Sequence, residues 1–183
     1  MNITPTTLAG LYIIETAPLL DDRGIFVKTF NREVFASAGL RSDFVESYYS
    51  VSKKNAIRGM HYQAPPHDHV KLVYVTRGKI LDVVLDIRKG SPTYGKCVTV
   101  ELSEENRTMV YVPLGCAHGF LSLQGNSCVT YLQTSTYAPD HDRGVRFDSF
   151  GKDWGIAQPI LSARDQAFPT LRDLQSPFTY NKV

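Results

Sequence analysis

The sequence predicts an all-β protein closed into a jelly-roll barrel. Three observations carry that prediction. Short runs rich in Val, Ile, Tyr, Phe and Thr recur along the 183 residues, turn residues punctuate them at close intervals, and the clearest runs alternate apolar with polar positions. Many short strands at regular spacing signal a sandwich or a barrel. An immunoglobulin-like sandwich would need a Cys and Trp spacing that this chain lacks. One domain over residues 1–183 is expected, because a chain of this length supports a single core.

Residues 11–14 read as the first strand, Asp21-Asp22-Arg23-Gly24 as a turn, and residues 25–30 as the next strand. Asn31 is placed to cap a short helix through Ala38, because its side chain can accept from the free first-turn amides, and Gly39 stops it. Strands follow at 44–51, 57–62 and 70–75. Thr76-Arg77-Gly78-Lys79 reads as a hairpin signal, answered by a strand over 80–87 with Asp82, Val84 and Asp86 on one face. Residues 98–102 alternate, with Val98, Val100 and Leu102 on one side, and strands at 109–112, 119–123 and 128–133 complete the series. From Trp154 the tail is irregular apart from a turn of helix at Ser162-Ala163-Arg164-Asp165.

Composition narrows the function classes. The chain is 43% hydrophobic and 21% charged, as soluble globular proteins are. A formal net charge of +2 arises from 20 basic and 18 acidic side chains mixed along the chain, with no basic run, which speaks against nucleic acid as a partner. A small anionic ligand needs only a few local Arg and Lys, so that class stays open. No membrane partner is expected, since no apolar run approaches the ~18 residues of a spanning segment. Residues 1–10 lack the basic start of a signal peptide. Cys97, Cys116 and Cys128 are odd in number with no Cys-x-x-Cys pair, so free thiols in a reducing cytoplasm are expected.

Four of the five histidines, His61, His67, His69 and His118, lie on two short segments. His67-Asp68-His69 and the later Pro113-Leu114-Gly115-Cys116-Ala117-His118 resemble the two motifs of the cupin superfamily. Cupins build a metal site from His-x-His, a Glu a few residues on, and the His after Pro-x-Gly. Here Val70, Lys71, Leu72, Val73, Tyr74 and Val75 follow His69, so the carboxylate is missing. Lys71 shares the face of His69 on a regular strand, and its ammonium opposes a divalent cation while attracting an anion. No metal is therefore expected, and without a Gly-x-Gly-x-x-Gly no nicotinamide cofactor either. Cys116, near His118, reads as a small buried turn residue and not as a nucleophile.

The segment from Ser52 to Gln63, Ser-Lys-Lys-Asn-Ala-Ile-Arg-Gly-Met-His-Tyr-Gln, resembles the Lys-Lys-x-x-x-Arg-Gly-x-His-x-Gln signature of the dTDP-4-dehydrorhamnose 3,5-epimerases. Colinear matches follow at Asp22-Arg23-Gly24-Ile25-Phe26, Lys71-Leu72-Val73, Ser91-Pro92-Thr93-Tyr94-Gly95, Pro113 to Phe120, and Leu161-Ser162-Ala163-Arg164-Asp165. The resemblance implies a cupin-type jelly-roll β-barrel with short peripheral helices, a homodimer, no cofactor and a nucleotide-diphosphate sugar as substrate. It also implies epimerisation beside the ketone of a nucleotide-linked 4-keto-6-deoxyhexose. A C–H next to a carbonyl is lost because the charge settles on the ketone oxygen. Such a site needs a base, an enolate stabiliser and a proton donor on the opposite face. By the resemblance His61 is the base, Asp165 its partner on the far ring nitrogen, and Lys71 the enolate stabiliser with His118 nearby. Tyr131 is the acid.

The same resemblance gives Arg58, with Arg23 and Arg164, to the diphosphate, and adds Tyr137 to the substrate-binding positions. Arg58 and His61 are three apart, on opposite faces of a regular strand, so Gly59 is expected to permit a bulge that brings both to the pocket mouth. Lys28, Glu46 and Tyr48 stand where the family commonly has Glu, Gln and Asn, at positions expected to face the nucleotide or diphosphate. The expectation is retained chemistry with altered recognition. A thymidine-linked substrate epimerised at C3 and C5 is the first reading. A CDP- or other nucleotide-linked sugar, epimerisation at C3 or C5 alone, a metal-dependent cupin and a non-catalytic sugar-nucleotide-binding cupin are the alternatives.

Overall fold

The computed structural model describes residues 1–181. In chain order its strands are β1 (Asn2–Pro5), β2 (Tyr12–Glu15), β3 (Leu19–Asp21), β4 (Gly24–Phe26), β5 (Glu46–Ser52), β6 (Ile57–Gln63), β7 (Lys71–Arg77), β8 (Lys79–Asp86), β9 (Cys97–Ser103), β10 (Thr108–Val112), β11 (Cys116–Ser122), β12 (Ser127–Gln133) and β13 (Asp142–Gly144). Two short helices, α1 (Arg32–Ser37) and α2 (Ala163–Gln166), lie outside the sheets. A six-stranded sheet runs β1-β2-β10-β7-β12-β5 and a five-stranded sheet runs β13-β6-β11-β8-β9, while β3 and β4 pair only with each other. The all-β jelly-roll expectation is met.

Alternation along the strands places the core. β7 turns Val73 and Val75 between the sheets, where they meet Val84, Phe120, Val129 and Leu102. Val98 and Val100 pack against the same cluster, as their alternation with Leu102 requires. The other faces are covered as well. Leu72 and Met109 lie beneath Phe35 of α1 and Leu40, and Val83, Leu85 and Ile87 lie beneath Trp154, Leu174 and Phe178 of the C-terminal segment. α1 begins at Asn31, whose side chain accepts from the amides of Glu33 and Val34. No helix among the described residues is long and apolar enough to cross a membrane.

Two expectations about elements are corrected. The turn at Gly78 does not join a hairpin, because β7 pairs with β10 and β12 while β8 pairs with β11 and β9. Gly78, at φ 77°, instead carries the chain from one sheet to the other. A Cβ there would sit 2.7 Å from Ser127 Oγ. That hydroxyl donates to the Lys79 carbonyl at 3.0 Å and accepts from the Lys79 amide at 3.2 Å, fixing the corner. A left-handed glycine serves a hairpin and a corner equally, so the local signal could not separate them. The strand expected over 25–30 ends at Phe26, because its ladder partner β3 is only three residues long. β1, β3 and β13 had no strand signal at all.

Candidate active site

A cleft of about 420 Å³ opens between the two sheets. β5 contributes Glu46, Tyr48 and Ser50, one face of its alternation, and turns Tyr49 and Val51 outward. β7 and β12 add Lys71, Tyr131 and Gln133 from the same sheet. β6 and β11 face them with Arg58, His61 and His118, and loops bring Tyr137, Asp142 and Arg164 to the edge.

Arg58 and His61 reach the same cleft through a register slip. His61 pairs with His118, but Arg58 pairs with Phe120, so β6 carries one extra residue against β11. Gly59, at φ 135°, lies within that slip. Its Cβ would stand 2.5 Å from Gly119 Cα, so the two strands approach this closely only because both residues are glycine.

His61 Nε2 lies 2.9 Å from Asp165 Oδ1, and Asp165 Oδ2 accepts from the Gly59 amide at 3.0 Å. Ser162 caps α2 by accepting from the Asp165 amide at 3.1 Å, which aims the carboxylate back at β6. Burial raises the Asp165 carboxyl, but the His61 contact, the Gly59 amide and Ser162 outweigh it and hold the group at about 2. Burial also pulls His61 below its usual value, with Lys71 and Arg164 adding to that pull and Asp165 opposing it. The buried carboxylate can only accept, so Nε2 carries the proton and donates it in a hydrogen bond to Asp165, leaving the lone pair on Nδ1. Arg164 Nη2 stands 2.9 Å from the same Nε2. A guanidinium has only donors, so against the Nε2 proton that Asp165 accepts, Arg164 is a close neighbour and not a hydrogen-bond partner.

Lys71 is buried, and its ammonium has no hydrogen-bond or ion-pair partner among the described residues. Burial lowers it to about 8, with Asp142 and Asp82 pulling the other way. The His118 Nε2 atom lies 2.7 Å from the buried Asp82 Oδ2. Tyr131 is 6% exposed, and burial raises its phenol above the usual value, so the group keeps its proton at neutral pH. Arg58 donates to Ser52 Oγ at 3.0 Å and to the Val51 carbonyl at 3.3 Å, which holds it at the far end of β5. Arg164 is paired with Asp142, and the Tyr137 hydroxyl lies 3.5 Å from that same carboxylate.

Two expected positions lie elsewhere. Arg23 sits on the β3–β4 hairpin, 90% exposed and 2.6 Å from Asp21, and neither it nor Lys28 lines this chain's cleft. Several lining residues were not foreseen. Gln63, Ser50 and Gln133 follow by strand parity from His61, Tyr48 and Tyr131, a signal present in the sequence. Gln63 fixes a neighbour: its Oε1 accepts from the Ala138 amide at 2.7 Å, and its Nε2 faces His69 Nδ1 at 3.2 Å. His69 Nδ1 is therefore an acceptor, and the ring's proton is on Nε2. Burial holds His69 down to about 2, so it stays neutral. Among the described residues no three His, Cys, Asp or Glu side chains gather as a metal-ligand set.

Fold and cleft together define the class: a cupin-type jelly-roll barrel whose cavity holds a histidine–carboxylate pair, a buried lysine and a buried tyrosine. The family model described as dTDP-4-dehydrorhamnose 3,5-epimerase matches residues 5–173, and the chain belongs to that family. A curated relative of that name from Methanothermobacter thermautotrophicus is 40% identical over 92% of this chain and 93% of its own length. The dTDP-6-deoxy-D-glucose-3,5-epimerase of Legionella pneumophila, solved in complex with dTDP-4-keto-L-rhamnose, is 34% identical with a TM-score of 0.94, covering 99% of each chain. A 3'-monoepimerase from Streptomyces bikiniensis, solved with dTDP-quinovose, is also 34% identical, with a TM-score of 0.88 over 92% of this chain and 87% of that one.

Proposed function

We propose that the chain epimerises dTDP-4-dehydro-6-deoxyglucose at C3 and C5, giving dTDP-4-dehydrorhamnose. The observation that carries this reading is the placement of base and acid on opposite sheets. His61 projects from β6 of one sheet and Tyr131 from β12 of the other, with the cleft between them. A sugar ring lying there presents one face to each.

His61 Nδ1 takes the proton from the carbon beside the ketone, and Asp165 stabilises the imidazolium that forms. The C–H electron pair moves onto the ketone oxygen, where the Lys71 ammonium compensates the charge. The Tyr131 O–H then delivers a proton to the other face, and the resting state returns when solvent reprotonates the phenolate and the His61 imidazolium gives its proton to solvent. The carbon changes configuration and no electrons are gained or lost, so these residues suffice without a cofactor. Arg58 binds the diphosphate through paired donors, while Arg164, Tyr137 and His118 border the sugar.

The enzyme works as a homodimer in the cytoplasm. In support, the β3–β4 hairpin exposes Leu19, Leu20, Ile25 and Phe26, and all three cysteines are free. Arg23 and Lys28 would reach a cleft only from outside, and the hairpin of a second copy would carry them there.

Incubation with dTDP-4-dehydro-6-deoxyglucose in deuterated water, read by proton NMR, tests the reading. Deuterium should enter both carbons beside the ketone without added metal, and His61→Ala should lower that exchange by roughly 10²–10⁴-fold. Exchange abolished by a chelator and restored by a divalent ion would overturn it in favour of a metal-dependent cupin. Exchange at one carbon only would favour a single-carbon epimerase. That second reading has its own support, since the Streptomyces bikiniensis monoepimerase matches at the same 34% identity as the Legionella pneumophila enzyme.

A further inference from the structure

The mechanism above leaves Tyr48 unused, yet this residue touches the group on which the second proton transfer depends. β5 and β12 pair so that Tyr48 stands directly opposite Tyr131. The two rings stack, with centroids 4.7 Å apart and planes 20° from parallel. The His118 ring meets Tyr131 edge-on at 6.1 Å and 76°. The phenol oxygen, by contrast, has one polar neighbour among the described residues, Ser50 Oγ at 3.4 Å. That is beyond the range of a good O–H···O bond. Ring packing therefore fixes the plane of the Tyr131 ring and the position of its phenol oxygen, and hydrogen bonding does little.

Tyr48 is itself held in place. Gln133 Nε2 donates to the Tyr48 hydroxyl at 2.5 Å. Gln133 lies two positions along β12 from Tyr131, so one strand supplies both the stacked ring and the anchor of its clamp. Tyr48 is 42% exposed and Tyr131 only 6%, so the outer ring roofs the inner one.

We propose that Tyr48 is a positioning residue for Tyr131, holding the phenol on the line to the enolate carbon. The proposal rests on the reading of Tyr131 as the acid. In the step concerned a C–H bond forms at the enolate carbon, the Tyr131 O–H breaks, and its electron pair stays on the phenolate oxygen. Tilting the ring takes the proton off that line while His61, on the opposite sheet, is untouched. Removing Tyr48 should therefore separate abstraction from inversion.

The test compares the full-length protein with Tyr48→Phe, Tyr48→Asn and Tyr48→Leu, using dTDP-4-dehydro-6-deoxyglucose in deuterated water. Deuterium returned with retention and inverted product are measured separately, with kcat and KM for each. Tyr48→Phe keeps the ring but loses the Gln133 anchor, so its inversion should fall between the parent and the ringless variants while its exchange follows theirs. The two ringless variants should keep exchange within about 3-fold but lose inversion by roughly 10–100-fold, the scale of a misplaced proton donor. Equal loss of exchange and inversion, or a change in KM alone, would overturn the proposal. Tyr131→Phe serves as the separate arm. Should it invert normally, the assignment of the acid itself is wrong, whatever Tyr48 does.

Discussion

Burial brings the Lys71 ammonium to about 8 from the usual 10.5, within reach of the pH at which such an enzyme works. The charged form is the one that compensates an enolate, so kcat/KM should fall as pH rises through about 8. Tyr131 does not confound that limb, because burial moves its phenol upward. Lys71→Arg keeps the charge at any accessible pH, so its profile should lose the alkaline limb even where the rate is lower. An unchanged limb in that variant would remove Lys71 from the role. Stability has the opposite sign. Between about 8 and 10.5 the unfolded chain binds more protons at this site, so the folded state gains stability as pH rises through that window. The chemistry of such residues was legible in the sequence only through motif order. Spacing could not show that Ser162 would aim Asp165 at His61 across 104 positions of chain. For His67-Asp68-His69 the missing carboxylate and Lys71 already spoke against a ligand pair, but the partner of His69 Nδ1, Gln63, was not readable from spacing.

Among the elements, β6 carries the strongest constraint. Its slip against β11 lets Arg58 and His61 share the cleft, and Gly59 makes the slip possible at φ 135°. Gly59→Ala would add a Cβ 2.5 Å from Gly119 Cα on a backbone conformation that side chains avoid. The cost should be about 2–4 kcal/mol, combining overpacking with backbone strain, measured as a lower urea midpoint. Activity should fall further than stability, because a regular β6 would return Arg58 and His61 to opposite faces. A variant that folded with parental stability and full activity would show the slip to be dispensable. Elements such as β8 and β9 were legible because alternation survives wherever one face meets the core. β3 and β13 are three residues each, too short for alternation to register. The corner at Gly78 was visible as a turn, but which sheet the next strand joins depends on Ser127, 49 positions away in sequence and unreadable locally.

At the scale of the whole molecule, strand alternation and motif order carried the class of the protein, while a homodimer was expected only through the family resemblance. The β3–β4 hairpin pairs with neither sheet, exposes four large apolar side chains, and carries Arg23 away from its own cleft. If a second copy receives that hairpin, each active site is built from two chains. Two defective variants should then rescue one another. Tyr131→Phe disables its own cleft but keeps its hairpin, and Arg23→Ala keeps its cleft but spoils the hairpin lent to its partner. Each homodimer should be impaired at both sites. Unfolded together, mixed in equal amounts and refolded, the chains should form heterodimers as about half of all dimers, given symmetric two-fold pairing. In each heterodimer one cleft combines an intact Tyr131 with an intact Arg23, so about a quarter of all sites should regain parental activity. Light scattering fixes the mass of the refolded species, and NMR turnover gives the active fraction. Recovery near a quarter requires that Arg23 act across the dimer. Activity no higher than the mean of the two variants would mean that each cleft is complete within its own chain, leaving Arg23 a surface partner of Asp21.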